Sequence, residues 1–170
     1  MKKILFIAAI IMASVSSAFA QSEAGKMAGG INILYGTEVG NLGAGIKYRY
    51  CLTDEFRAEA ALDFIFKNEH ETMLDGNINI QYLLPIEDTK LTIYPTLGLA
   101  LGNSHECHHK DEKGEWVGPK KNEVIAGINA GCGAEFAITD KAHITLEAKY
   151  QFFNKHCTQL LLGVGLVHTF

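Results

Sequence analysis

After its first twenty residues, the chain has no apolar run long enough to cross a membrane as a helix. Such a helix needs about 20 predominantly apolar residues. Apolar residues spaced at the helical period are also absent from this region. If the chain enters a membrane, it must therefore do so as strands closed into a barrel, the other structure that satisfies its backbone hydrogen bonds in lipid.

Basic residues are neither in excess nor clustered. The 170 residues include 15 Lys and Arg against 19 Asp and Glu, which gives a formal net charge of -4. Proteins that bind nucleic acid concentrate positive charge on one face. The composition therefore argues against a nucleic-acid partner.

No arrangement of nucleophile and base is recognisable in the sequence. Ser104 stands beside His105, but adjacency along the chain says little about a catalytic triad, whose members meet in space. We therefore predict that the protein is not an enzyme and that it holds no cofactor.

The first twenty residues have the organisation of an export signal. Two lysines at positions 2 and 3 precede an apolar stretch over residues 4–12, and Ala18-Phe19-Ala20 has the small-x-small pattern that signal peptidase cleaves. A membrane anchor is the alternative, but the apolar stretch is short for a span. We predict a cleaved signal peptide over residues 1–20 and one mature domain over residues 21–170.

Eight segments of the mature chain alternate apolar residues with polar residues or glycine. A period of two is the signature of β-strands, and most segments reach the roughly 9 to 11 residues that a tilted strand needs to cross hydrocarbon. The predicted strands cover residues 26–36, 42–51, 56–67, 72–85, 90–102, 122–138, 142–153 and 157–170.

Aromatic residues decide between a membrane barrel and a soluble sandwich, which also alternates. If successive strands run up and down, the aromatics of the apolar face gather at two rims. Amphipathic rings settle at the headgroup level of a bilayer, so the sequence predicts an all-β fold, an eight-stranded antiparallel up-and-down transmembrane β-barrel. One rim would carry Tyr48, Tyr50, Phe56, Tyr82, Phe136 and Phe170, and the other Tyr35, Phe64, Phe66 and Phe152.

The inward face of this barrel would carry charges of both signs between glycines. Eight strands enclose a space just wide enough for side chains to fill, and paired charges are less costly to enclose than isolated ones. We expect a salt-bridged plug, with a narrow gated path for water or ions as the alternative. The predicted network contains Lys47, Arg49, Arg57, Glu59, Asp63, Asp75, Glu123, Glu135, Glu147 and Lys149.

Four cysteines remain after the signal segment. In the predicted topology Cys132 faces lipid and Cys51 faces inward, whereas Cys107 and Cys157 share one side of the barrel. We predict that these two can form a disulfide that clips the long loop, residues 103–121, over the barrel mouth. Four unpaired cysteines are the alternative.

The same long loop is rich in histidine and contains the only tryptophan. The run His105-Glu106-Cys107-His108-His109 offers ligands for Zn²⁺ or Cu²⁺, but it matches no defined zinc spacing, and we predict no metal site. Trp116 lies among charged residues, where an aromatic side chain can anchor a partner or pack on the barrel rim. Trp116 and the three histidines are therefore candidate contacts for a surface partner.

Several of these features resemble the small eight-stranded outer-membrane β-barrel family of Gram-negative bacteria, which includes the OmpX-like and OmpA-like barrels. The resemblance rests on the signal segment, on residues 94–98 (YPTLG) and 131–136 (GCGAEF), and on the terminal Phe170. His168 is a departure, since members often place an aromatic residue there.

The resemblance implies a monomer in the bacterial outer membrane, surrounded by lipid, with both termini on the periplasmic side. It also implies that Phe170 is read by the barrel assembly machinery, and that the protein supports the envelope or contacts a host or envelope partner through loop 103–121. Two alternatives remain open: a small porin-like channel, and a soluble lipocalin-like carrier, in which the apolar face would turn inward.

Overall fold

The protein is described by a computed structural model. Residues 1–20, the predicted signal peptide, lie outside the described part. Among the described residues, no helix is long and apolar enough to span a membrane. The described residues are 24–37, 40–66, 72–104, 109–110, 116–117, 123–153 and 158–170, without the side chains of 72–73, 103–104, 109–110, 116–117 and 123.

Eight long strands make up most of the described chain, as the alternation predicted, and their ends mostly lie within one or two residues of the predicted ones. They are β1 (Met27–Gly36), β2 (Asn41–Cys51), β3 (Phe56–Phe66), β4 (Thr72–Tyr82), β5 (Leu91–Ser104), β6 (Glu123–Ala137), β7 (Ala142–Phe153) and β8 (Thr158–Thr169).

The strands close into a barrel. Each long strand pairs antiparallel with its neighbours in sequence, and β8 pairs with β1, from Ala28 opposite Thr169 to Gly36 opposite Leu161. Closure leaves none of these strands with an unpaired edge. The predicted eight-stranded antiparallel up-and-down barrel is confirmed.

The fourth strand was predicted to run to residue 85, which is wrong. Pairing with β5 stops at Gln81 and resumes only in the two-residue segment Leu84–Pro85. The register places Tyr82 opposite Pro95, and proline has no N–H to donate to a ladder. The interruption therefore follows from one residue of the neighbouring strand.

The stretch 103–121 was predicted as a loop, and part of it forms strand. The fifth strand extends to Ser104, which pairs with Glu123, and within the stretch His109–Lys110 pairs antiparallel with Trp116–Val117. The hairpin between β5 and β6 is thus longer than the alternation indicated.

Short turns join the strands at the end of the barrel where the described chain begins and finishes, here called the turn end. Two of them use the same device: Thr53 Oγ1 accepts a hydrogen bond from the Phe56 amide, and Thr139 Oγ1 accepts one from the Ala142 amide, each at 3.0 Å. In the third turn Asp88 has φ of 59°, which a short polar residue tolerates. The opposite end is called the loop end.

The two faces of the strands differ as predicted. Apolar side chains of alternate residues point outward, and Ile31, Ile78 and Leu97 expose 62%, 66% and 64% of their surface. The polar and charged side chains point into the barrel and are buried. The lipocalin-like alternative is therefore wrong, because it requires the apolar face inside.

Outward-facing aromatics lie near both ends of the strands. At the turn end the rings of Phe56 and Tyr82 are in contact, with centroids 5.0 Å apart. Near the loop end Tyr150 and Phe152 form a similar pair at 4.6 Å. Two aromatic rims flanking an aliphatic band are typical of barrels in a bilayer.

Candidate functional site in the barrel interior

The inward-facing polar side chains form the candidate site. Nine of the ten predicted network residues have described side chains, and all nine lie almost completely buried inside the barrel. Glu123 begins β6, but its side chain is outside the described part. The nine residues form two layers, a turn-side layer and a loop-side layer.

Arg49 is the centre of the turn-side layer, which comprises Lys47, Arg49, Arg57, Glu59, Glu135 and Glu147. Its guanidinium donates through three nitrogens to three carboxylates on three strands: to Glu59 at 2.8 Å and to Glu135 and Glu147 at 2.7 Å each. Lys47 Nζ adds a second bond to Glu147, at 2.7 Å. Charge-assisted bonds of this kind are the strong ones.

Tyr94 completes the turn-side layer, although the sequence analysis did not select it. Its hydroxyl donates to Glu147 Oε1 at 2.7 Å and accepts from Arg49 Nη2 at 3.2 Å. The Arg49 and Arg57 guanidinium carbons lie 5.4 and 5.0 Å from the ring centroid, within cation–π range. The signal was available, since Tyr94 has the same parity as the inward-facing Thr96 and Gly98.

The turn end of this layer is closed by a second set of polar contacts. Arg57 donates to Gln81 Oε1 at 2.7 Å and to Glu135 Oε2 at 3.1 Å. His143 Nδ1 lies 3.5 Å from Glu135 Oε1; this residue was also missed, although it shares the inward parity of Glu147. Next to them is a cavity of about 20 Å³, which has room for about one water molecule.

Amides dominate the loop-side layer, which comprises Asn32, Asp63, Asp75, Asn77, Asn129, Lys149 and Gln151. Asn77 Nδ2 donates to Oδ2 of both Asp63 and Asp75, at 3.2 Å each. Asn129 Nδ2 donates to Asn77 Oδ1 at 2.6 Å. Lys149 Nζ is 4.0 Å from Asp63 Oδ2.

Two clusters of buried apolar side chains lie on the loop side of these layers and are together called the apolar cap. One cluster is Leu34, Ile65 and Leu161, and the other is Ala100, Ile125 and Phe153. An apolar constriction excludes water and ions from a lumen. From the turn end to the loop end, the described interior therefore contains charged side chains, then mostly amides, then apolar side chains.

The remaining predicted site residues are placed only in part. Cys51 is buried inside and Cys132 is exposed on the outer face, as expected, and both are free thiols. His109 and Trp116 lie in the short strand pair, without described side chains. His105, His108, Cys107 and Cys157 lie outside the described residues, so the disulfide and the loop contacts stay predictions.

Phe170 follows the last strand at the turn end. Its amide donates to Met27 O on β1 at 2.9 Å, and its ring is 71% exposed on the outer face. Within the described part of the chain, no three His, Cys, Asp or Glu side chains are close enough together to hold a metal ion.

A family model described as "Outer membrane protein beta-barrel domain" matches residues 5–167. No curated protein is significantly similar to this chain in sequence.

Several solved structures share the fold at low sequence identity. The N-terminal β-barrel domain of Pseudomonas aeruginosa OprF is 13% identical, with a TM-score of 0.69 over 88% of this chain and 100% of that one. P. aeruginosa OprG is 11% identical, with a TM-score of 0.60 over 90% and 99%. Ail, the attachment invasion locus protein of Yersinia pestis, is 14% identical, with a TM-score of 0.57 over 88% and 100%.

Proposed function

The chain belongs to the outer membrane protein β-barrel family and lies in the bacterial outer membrane, and we propose that it serves there as a closed barrel that supports the envelope and presents surface loops to a partner. In this role the barrel is a scaffold, and its interior stabilises the fold instead of conducting.

The filled lumen is the observation that carries the proposal. Arg49 ties β2 to β3, β6 and β7 through its three carboxylates, so an open path requires several buried ion pairs to break. Breaking a buried pair by removing one partner costs about 3–5 kcal/mol. The apolar cap adds a second barrier above the charged layers.

A porin-like channel is the competing function, and the polar lining of the two layers is what favours it. Eight strands leave an interior that side chains can fill, whereas water-filled porins use 16 to 18 strands. The packing of Tyr94 and both arginines across the lumen therefore supports the closed barrel.

Conductance in a planar lipid bilayer tests the closed lumen. The refolded protein should give no stable channel openings at neutral pH. A variant with Arg49→Ala and Phe153→Ala together removes the central arginine and part of the apolar cap, and openings in this variant alone would show that the assay detects a path. Stable openings in the unchanged protein would overturn the closed-barrel proposal.

The surface role is supported by the β5–β6 ladder, which runs to Ser104 opposite Glu123 at the loop end, and by the strand pair of His109–Lys110 with Trp116–Val117, which lies between these strands in sequence. Ail, which has the same fold, is named the attachment invasion locus protein, and this name is consistent with the proposed surface role. In our proposal the loop end faces the exterior, and Trp116 and the histidines of residues 103–121 form the contact.

Pull-down with intact protein and with residues 105–121 replaced by a short glycine linker tests the surface role. Partners captured from host or envelope extracts should be lost with the hairpin, and Trp116→Ala should weaken them. The same replacement of residues 67–71, which join β3 to β4 at the same end, is the control, because it leaves both Cys107 and Cys157 in place. Equal capture by all the variants would contradict the role of the long hairpin.

A further inference from the structure

The two interior layers differ in charge balance. The turn-side layer contains three cationic residues (Lys47, Arg49, Arg57) and three carboxylates (Glu59, Glu135, Glu147), which balance. The loop-side layer contains two carboxylates, Asp63 and Asp75, and among its described side chains only Lys149 is cationic. This layer therefore lacks one positive charge, and the apolar cap separates it from the loop end.

The two aspartates are neighbours across the β3–β4 ladder, where Asp63 stands opposite Asp75. Their side chains are 1% and 0% exposed. Two like charges this close in a dry interior repel strongly, because little water is present to screen them. Lys149 lies beside Asp63, which leaves Asp75 without a cation of its own.

The hydrogen bonds of Asp75 are unequal at its two oxygens. Oδ2 accepts from Gln151 Nε2 at 2.7 Å and from Asn77 Nδ2 at 3.2 Å. No described group donates to Oδ1, although this atom is buried. A carboxylate would leave half of its charge unsolvated there, which is costly. A neutral acid lowers this cost because it carries no net charge: its carbonyl oxygen accepts both donors, and its hydroxyl group needs one acceptor instead of the several donors that an ionised oxygen needs.

We propose that the loop-side layer binds one proton, held on Asp75 Oδ1, as its missing positive charge. The proton makes the layer electrically neutral, with Lys149 balancing Asp63. The barrel therefore takes up one proton when it folds in mildly acidic solution, since an aspartate in an unfolded chain is ionised above about pH 4.

Other ionisable groups face this pair and must be considered in any pH experiment. From the strands packed around it, the described ones are Lys47 on β2, Glu59 on β3, and Glu147 and Lys149 on β7. The facing residues of β1, β6 and β8 whose side chains are described are Asn32, Asn129 and Gln159, which are uncharged. Each of the four charged groups has a carboxylate or cation partner, whereas Asp75 has none.

Proton uptake on folding fixes the direction in which stability changes with pH. When the folded state binds more protons than the unfolded state, the free energy of unfolding falls as pH rises. One extra proton changes the unfolding equilibrium constant by up to about tenfold for each pH unit. The stabilisation that this proton gives the folded state is fully present below about pH 4 and declines as the pH rises above that value.

The test compares urea unfolding of the full-length refolded protein in lipid vesicles between pH 4 and 8 with that of Asp75→Asn. The asparagine mimics the neutral acid, so this variant should be at least as stable at pH 7 as the unchanged protein. Its unfolding equilibrium constant should no longer show the change of up to about tenfold per pH unit. Infrared spectroscopy should show the C=O band of a neutral carboxylic acid at pH 5 in the unchanged protein and not in the variant.

Glu59→Gln is the matched control, because it converts an equally buried carboxylate into an amide in the balanced layer. It should lower stability at pH 7 and keep the pH dependence. Loss of stability in Asp75→Asn with unchanged pH dependence, or absence of the acid band, would overturn the proposal. Stability that requires Na⁺ instead of choline would also overturn it, since a metal ion would then supply the charge.

Discussion

At the scale of single residues, the interior depends on side chains that reach across the lumen to strands distant in sequence. Arg49 and Glu147 are 98 positions apart, yet their atoms lie 2.7 Å from each other. Such side chains need room beside them in the interior, and glycines on neighbouring strands provide it. Gly133 is the clearest example, because it pairs with Tyr94 across the β5–β6 ladder and a Cβ there would meet the Tyr94 ring.

Gly133→Ala should therefore destabilise the barrel. A Cβ at this position would lie 2.4 Å from two atoms of the Tyr94 ring, and forced overpacking costs about 1–3 kcal/mol. Displacing the ring also disturbs its bonds to Glu147 and Arg49. The midpoint of urea unfolding in vesicles should fall.

Gly163→Ala is the matched control, since Gly163 is also an inward-facing strand glycine. The nearest atom to an added Cβ there is 3.7 Å away, an ordinary contact, and reduced freedom of the unfolded chain makes such a change neutral to slightly stabilising. If both variants lost equal stability, the explanation through Tyr94 would be incorrect.

The sequence identified which residues face inward but not which partners they would find. Parity alone was sufficient to place Lys47, Arg49 and Glu59 inside. Partners depend on the stagger of the strands around the closed barrel, which a period of two does not encode. Tyr94 and His143 were missed because the predicted network was selected from charged residues only, although the parity of both residues pointed inward.

At the scale of strands, the alternation predicted eight elements because each strand separates lipid from a polar interior. The ends of the strands were less well predicted where a residue of another strand determines them. The interruption of β4 pairing after Gln81 follows from Pro95 on β5. The short pairing of His109–Lys110 with Trp116–Val117 has too few residues for any alternation to show.

Strand sidedness predicts a depth-dependent penalty for charge on the outer face. Leu146 lies near the middle of β7 and is 55% exposed, so Leu146→Arg should destabilise the barrel in vesicles by about 2–4 kcal/mol. Ile138 is equally apolar and exposed but lies at the turn end, where Ile138→Arg should cost about 0–1 kcal/mol.

Urea unfolding of both variants in vesicles measures this difference. Equal costs would show that the substitution acts through something other than bilayer depth. In detergent micelles, where depth is poorly defined, the two variants should differ less in their free energy of unfolding.

At the scale of the whole molecule, closure joins the first strand to the last. The β1–β8 ladder ends with the Phe170 amide on Met27 O, so the final residue completes the barrel through its backbone. Its side chain does little for packing: the ring is 71% exposed and has an edge contact with His168 at 5.8 Å between centroids. A requirement for this ring would therefore arise during assembly, not in the finished barrel.

Phe170→Ala should accordingly separate assembly from stability. The purified variant should refold in vesicles with an almost unchanged urea midpoint, because little packing is lost. If the assembly machinery reads Phe170, as the family resemblance implies, the amount of folded protein in the outer membrane of cells should drop several-fold, as judged by its resistance to SDS without heating. Phe136→Ala is the control, because Phe136 is 50% exposed at the same rim but is not terminal. A similar drop in both variants would assign the effect to the aromatic rim as a whole. A clearly lower urea midpoint of purified Phe170→Ala would assign the effect to stability instead of assembly.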